Sequence, residues 1–295
     1  MLRPMILALA LMVSLPAHAA PLDDLIADYE AFALADDPIS AGQEGDRAAL
    51  SRLPDVTPAA DLRRKTALTG FRARLSAVSP DGLTPEAALN RAFLAWTIDE
   101  RLQSLAFDEA RLPFNSDGGF QSTMGYLVAT TPIRSVDDAR AWIDRLTALP
   151  AYYDANIENA RRGAKAGFTQ PRSTVEAVLA QARRTAQAPV EGDVLLGPLA
   201  QMPDTISAAD QAALRVRASS ILVDQIRPRQ RAFADFLERD YLPRARAGLG
   251  ARSLPGGEAY YRWLVHDQTT TNLSPDDIHA IGQSEVARLR GEMDV

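Results

Sequence analysis

Side chains suited to nucleophilic, metal or proton-transfer chemistry are scarce in this sequence, and their spacing limits what they can do. Histidine occurs at His18, His266 and His279, and cysteine is absent. His266 and His279 lie thirteen residues apart, so they do not form the i, i+4 pair that puts two imidazoles on one helix face for zinc. A metal site joining both to Asp267 or Asp276 is outweighed by a simpler reading, one polar histidine near a helix end and another on a helix face. No His-Glu pair occurs anywhere. The nearest string to a G-x-S-x-G nucleophile turn, Gly282-Gln283-Ser284-Glu285-Val286, lacks the second glycine. Neither Lys65 nor Lys165 has a serine three residues before it, which removes the Ser-x-x-Lys dyad. No phosphate-binding glycine loop is present. The acid pairs Asp137-Asp138 and Asp276-Asp277 read as helix-start acids that complement the helix dipole. No complete catalytic site is legible.

Two stretches could contact a ligand. Pro113-Phe114-Asn115-Ser116-Asp117-Gly118-Gly119-Phe120-Gln121 is polar, with aromatics at both sides. Asn115 and Asp117 offer acceptors there, and the paired glycines admit close backbone approach; the same residues also suit an ordinary connecting turn. The second stretch runs from Gly256 through Tyr260-Tyr261 to Trp263 and is followed by Thr269-Thr270-Thr271. Adjacent tyrosines can give one ring to the core and one to a cleft, although core packing alone also accounts for Tyr260 and Tyr261.

The elements that must position these residues read as helices separated by proline- and glycine-marked turns. Residues 1–19 form a signal peptide: Arg3 supplies the positive start, Met5 to Leu15 the apolar core, and Ala17-His18-Ala19 the small-x-small pattern. Cleavage is expected between Ala19 and Ala20, leaving a periplasmic or secreted chain with no membrane anchor and a helical domain over 20–295. The formal charge of −6 becomes −7 once Arg3 leaves, and the arginines are not clustered, which argues against nucleic-acid partners.

Ser135, Ser173, Ser207 and Ser274 are each followed three residues later by an acid, which predicts four capped helix starts; Thr84-Pro85 predicts another. After Thr84, Leu89, Phe93 and Trp96 form one apolar stripe, while Leu94, Ile98, Leu102 and Leu105 form a second. Two apolar faces predict a central, buried helix. A helix after Ser207 should kink or divide near Arg227, ahead of Pro228. Val194-Leu195-Leu196 is at most an isolated extended piece. The fold class is therefore all-α, a large irregular multi-helix array. The last helix keeps apolar residues to its end (Val286, Leu289, Met293) with no clear stop signal, so the chain reads as cut mid-structure.

Gly257 to Arg288, with Tyr260-Tyr261, the Thr269-Thr270-Thr271 run, Leu273-Ser274-Pro275-Asp276-Asp277-Ile278-His279 and Glu285-Val286-Ala287-Arg288, resembles the bacterial family known as domain of unknown function 885. The Asn115 to Phe120 loop is a second match. That family is similar to gluzincin zinc peptidases, and its members carry H-E-x-x-P-G-H, whose two His bind zinc and whose Glu activates water. The resemblance implies that this chain is the N-terminal half of a longer, peptidase-like helical fold, truncated before the zinc motif. It implies no cofactor in these residues, zinc in the C-terminal half, and a peptide substrate or that half as partner. Asn115, Asp117, Tyr260 and Tyr261 are then candidate cleft groups, with no catalytic or metal residue carried over. The alternative is a short, non-enzymatic helical module that binds a periplasmic partner.

Overall fold

A computed structural model describes residues 20–293; residues 1–19, which the sequence reading takes as a signal peptide, lie outside the described residues, as do Asp294 and Val295. The helices are α1 (Ala20–Asp36), α2 (Pro38–Gln43), α3 (Pro58–Ala77), α4 (Pro85–Phe107), α5 (Phe120–Thr130), α6 (Val136–Ala166), α7 (Arg172–Gln187), α8 (Gly197–Ala200), α9 (Ala208–Ile221), α10 (Arg227–Phe236), α11 (Gly257–Thr269) and α12 (Pro275–Met293). Among the described residues, extended pairing is confined to two isolated bridges, Phe114 with Gly119 and Pro171 with Arg246. The array is all-α, as its periodicity predicts.

Three apolar clusters hold it together. The largest gathers α5, α6, α7, α9 and α10 around Trp142, Leu146, Val175, Leu222 and Phe233. A second joins α1, α3 and α4 through Leu22, Leu25, Leu68, Leu75 and Ile98. The third is small: Phe168, Leu254 and Tyr260 are buried, with Phe107, Leu112 and Trp263 packed beside them.

Local chemistry explains most helix starts. The Ser135, Ser207 and Ser274 hydroxyls accept from the N–H groups of Asp138, Asp210 and Asp277, and each of these acids accepts in turn from its serine hydroxyl. Thr84 caps α4 ahead of Pro85 by accepting from the Ala87 N–H, with no reciprocal acid. Ser173 does not cap. α7 starts at Arg172 with Pro171 in the cap position, two residues earlier than a Ser173 cap would place it. The backbone of Pro171 and Arg172 pairs there with Arg246, a contact from far along the chain that fixes the start in place of a local cap.

Three other expectations are corrected. Val194–Leu196 is a 3₁₀ turn with Asp193 as cap, not an extended piece. The helix after Ser207 divides at Arg227 as expected, but through a π turn at Leu222–Ile226. That wider turn accommodates Pro228, whose ring would strike the Asp224 carbonyl in an unbroken α-helix. Finally, α4 is not central. Its inner stripe packs on α1 and α3, but Leu89 and Phe93 are 69% and 64% exposed. Periodicity reports that a face is apolar, not that something covers it.

Two close contacts position the chain around the region described next. Arg227 is buried and holds Asp193 and the carbonyls of Thr185 and Ala188, pinning the segment before α8 to α10. Gly163 lies where α6 meets the end of the α4 connection: a Cβ there would stand 2.6 Å from the Arg111 carbonyl oxygen and 2.7 Å from that of Phe168. Only a residue without a side chain allows that approach.

Candidate functional site

The residues with the most unusual surroundings lie along the seam between α4 and α11. On α4, Leu89, Phe93, Trp96, Glu100 and Phe107 share one face, because spacings of four and three residues return to the same side of a helix. α11 runs antiparallel along the far end of that face: Tyr260 and Trp263 meet Phe107, and Trp263 and His266 meet Glu100. Phe107 and Trp263 stack at 5.2 Å between ring centroids, and Tyr260 adds an edge contact to Phe168 at 5.5 Å.

Two carboxylates anchor the seam. Glu100 accepts the Trp263 indole N–H at 2.8 Å and lies 3.5 Å from His266 Nε2. His266 Nδ1 faces the Thr271 carbonyl at 2.8 Å; a carbonyl only accepts, so Nδ1 carries a proton. Two residues beyond the end of α4, Glu109 accepts the Ser104 hydroxyl at 2.6 Å and the Tyr260 hydroxyl at 2.7 Å. Burial, reinforced by the Glu109 charge, pushes the Tyr260 phenol well above its usual range, so Tyr260 stays a donor.

The seam is tied to the Asn115 loop through the segment Phe168 to Gln170. Arg111 spreads its guanidinium over the Phe168 ring at 4.0 Å, while Gln170 donates its amide to the Phe114 carbonyl at 2.7 Å. The loop itself is a tight reversal. Asn115 Oδ1 accepts from the N–H groups of Asp117 and Gly118, and Phe114 pairs with Gly119 across the turn. A Cβ on Gly119 would stand 2.6 Å from Phe114 Cα, so the reversal closes only around glycine. Behind it, Phe114 and Phe120 are buried against Phe233, and both amide atoms of the Gln121 side chain are buried without a hydrogen-bond partner among the described residues.

The four candidate cleft residues therefore occupy different settings. Asn115 and Asp117 stand exposed at the loop tip, with the Asn115 oxygen committed to the turn. Tyr260 is buried and bound to Glu109, whereas Tyr261 faces outward with Arg252 over its ring at 5.7 Å. Among the described residues, no hydrogen bond or ring contact joins the loop pair directly to either tyrosine. Glu100 and Glu109 escaped sequence reasoning. Glu100 had a signal, since it is the acid interrupting an otherwise apolar stripe; Glu109 follows the helix and its role depends on α11 arriving.

No group of three or more His, Cys, Asp or Glu gathers as metal ligands among the described residues, so no step through zinc is derived from them. Nor is any described helix long and apolar enough to cross a membrane. The seam packs aromatic rings around two carboxylates that already accept from Trp263, Ser104 and Tyr260, beside a tight chain reversal.

Residues 38–295 match the family described as bacterial protein of unknown function (DUF885), and the chain belongs to that family. No curated protein matches the sequence. The fold is similar to a solved structure described as "the putative lipoprotein from Colwellia psychrerythraea", with a TM-score of 0.83 and 17% identity over 95% of this chain. The chain spans about half of that protein, 51% of its length.

Proposed function

We propose that this member of the DUF885 family is the N-terminal scaffold and substrate-cleft portion of an exported zinc-metallopeptidase-like protein. A second half supplies the metal, its ligands and the group that activates water. The observation that carries this reading is the state of α12. Ser274 and Asp277 cap it well, yet Ile281, Val286, Leu289 and Met293 are all about half exposed or more. Burying such side chains is worth about 1.5–3 kcal/mol each, so an amphipathic helix with this face is suited to a large apolar partner. The fold relative, twice as long as the match, supports a partner of similar size in the same protein.

On this reading the exposed Asn115, Asp117 and Tyr261 contact a peptide, while Tyr260, Glu100 and Glu109 hold the wall in place. Export follows from the signal-like start of the sequence. The test is peptide hydrolysis by the intact protein purified from its native host, with its zinc content measured, with and without a chelator. Hydrolysis that stops on chelation and returns with zinc supports the reading. Absent or chelator-insensitive hydrolysis overturns it.

A further inference from the structure

The apolar stripe of α4 is longer than the helix that covers it. α11 occupies the stretch from Phe107 to Glu100, and Leu89, Phe93 and Trp96 continue the same face for about 16 Å beyond Glu100, at about 1.5 Å per residue. The Phe93 and Trp96 rings lie 5.9 Å apart, so they present one surface rather than two isolated side chains. Ala88 and Ala92, exposed beside them, leave that surface flat enough for close approach of another backbone. The uncovered part is thus a continuation of an interface already built, with the same spacing and the same axis.

We infer that this stripe seats an amphipathic helix from the second half of the protein, laid antiparallel to α4 and in line with α11. The inference rests on the proposed existence of that half and adds where, and by what kind of element, it docks on α4. A helix fits because the stripe repeats every three to four residues and a helix surface offers no backbone edge for a strand to pair with. Antiparallel packing brings the C-terminal end of the incoming helix to the start of α4, where Glu86 is exposed in the first turn. Lys or Arg in the last turn of that helix would meet both Glu86 and its own carbonyl ends favourably.

Hydroxyl-radical labelling read by mass spectrometry tests this on the intact protein from its host and on residues 20–295 alone. Trp96 and Phe93 should label strongly in residues 20–295 and several-fold less in the intact protein. Phe93→Asp should restore strong labelling at Trp96 in the intact protein, while Phe93→Leu should not. Equal labelling of Trp96 in both forms overturns the inference even if the intact protein is a zinc peptidase. Protection that appears in residues 20–295 as concentration rises also overturns it, because the occupant is then a second copy. Protection of Trp96 in a longer protein that lacks zinc and peptidase activity would sustain the docking site and remove the proposed function instead.

Discussion

The Glu100 carboxylate accepts the Trp263 indole N–H at 2.8 Å, joining two helices whose sequence positions are far apart. The same carboxylate faces His266, so a single acid fixes both the ring that stacks on Phe107 and the imidazole at the end of α11. Removing the acceptor leaves a half-buried N–H unpaired, which costs about 1–3 kcal/mol. Glu100→Leu should therefore lower stability by that amount in urea unfolding, and Glu100→Gln, which keeps an acceptor oxygen, should lose less. Equal losses would show that the indole bond is not the contribution that matters.

Asp193 and Arg227 are an ion pair with both side chains almost fully shielded, at 6% and 5% exposure. Deleting one partner of a buried pair strands the other charge, at a cost of about 3–5 kcal/mol. Asp193→Ala should approach that loss, and the double change Asp193→Leu with Arg227→Met should recover much of it. A double-mutant cycle in chemical unfolding checks both.

Stability should fall at alkaline pH. Burial raises the Tyr153 and Tyr241 phenols from 10.0 to about 12, and Tyr260 is pushed up as well. Tyr153 and Tyr241 are raised in the folded state, so their contributions are complete below pH 10 and are lost between about pH 10 and 12 as the unfolded chain ionises first; the loss from Tyr260 starts at the same pH. Each phenol adds about 1.4 kcal/mol of loss per pH unit in that window. Denaturant midpoints taken at intervals from neutral pH upward should stay flat and then drop; a drop that begins well below pH 10 would contradict the assignment.

Gly163→Ala and Gln121→Met should move stability in opposite directions. The first forces a methyl against two carbonyl oxygens at 2.6 and 2.7 Å, and overpacking of this kind costs about 1–3 kcal/mol. The second removes a buried amide that has no partner among the described residues, replacing it with an apolar side chain of similar length. Thermal unfolding should show a lower midpoint for Gly163→Ala and an equal or higher one for Gln121→Met.

Leu289→Asp should leave residues 20–295 within about 0.5 kcal/mol of the parent, because its side chain is half exposed there. A loss several times larger would mean that α12 is packed in solution against something within this chain.

Much of the architecture was legible because it is local. Ser135, Ser207 and Ser274 cap helices through partners three residues away, which any reader of the sequence can see. Ser173 misled because the start of α7 answers to Arg246. The family resemblance rested on residues around Ser274 and Asn115, and the match over 38–295 agrees with it. The seam was harder to read. Tyr260 looked like one of a ring pair, but its partner Glu109 is 151 positions away and becomes its acceptor only when α11 folds back on α4. The spacing of Leu89, Phe93 and Trp96 shows an apolar face, while their exposure depends on which neighbours are present.

The division of the interior into three separate apolar clusters has a kinetic consequence. Each cluster can open without dismantling the others, so native-state amide exchange should proceed in stages rather than in one cooperative event. α12, which belongs to none of them, should exchange first, followed by α11 on its three-residue core. The pair α3 and α4 should come next, and the middle of α6, packed against α5, α9 and α10, should hold its amides longest. A partner seated on Phe93 and Trp96 would therefore slow exchange in α4, at the third stage, and leave the order of the first two unchanged.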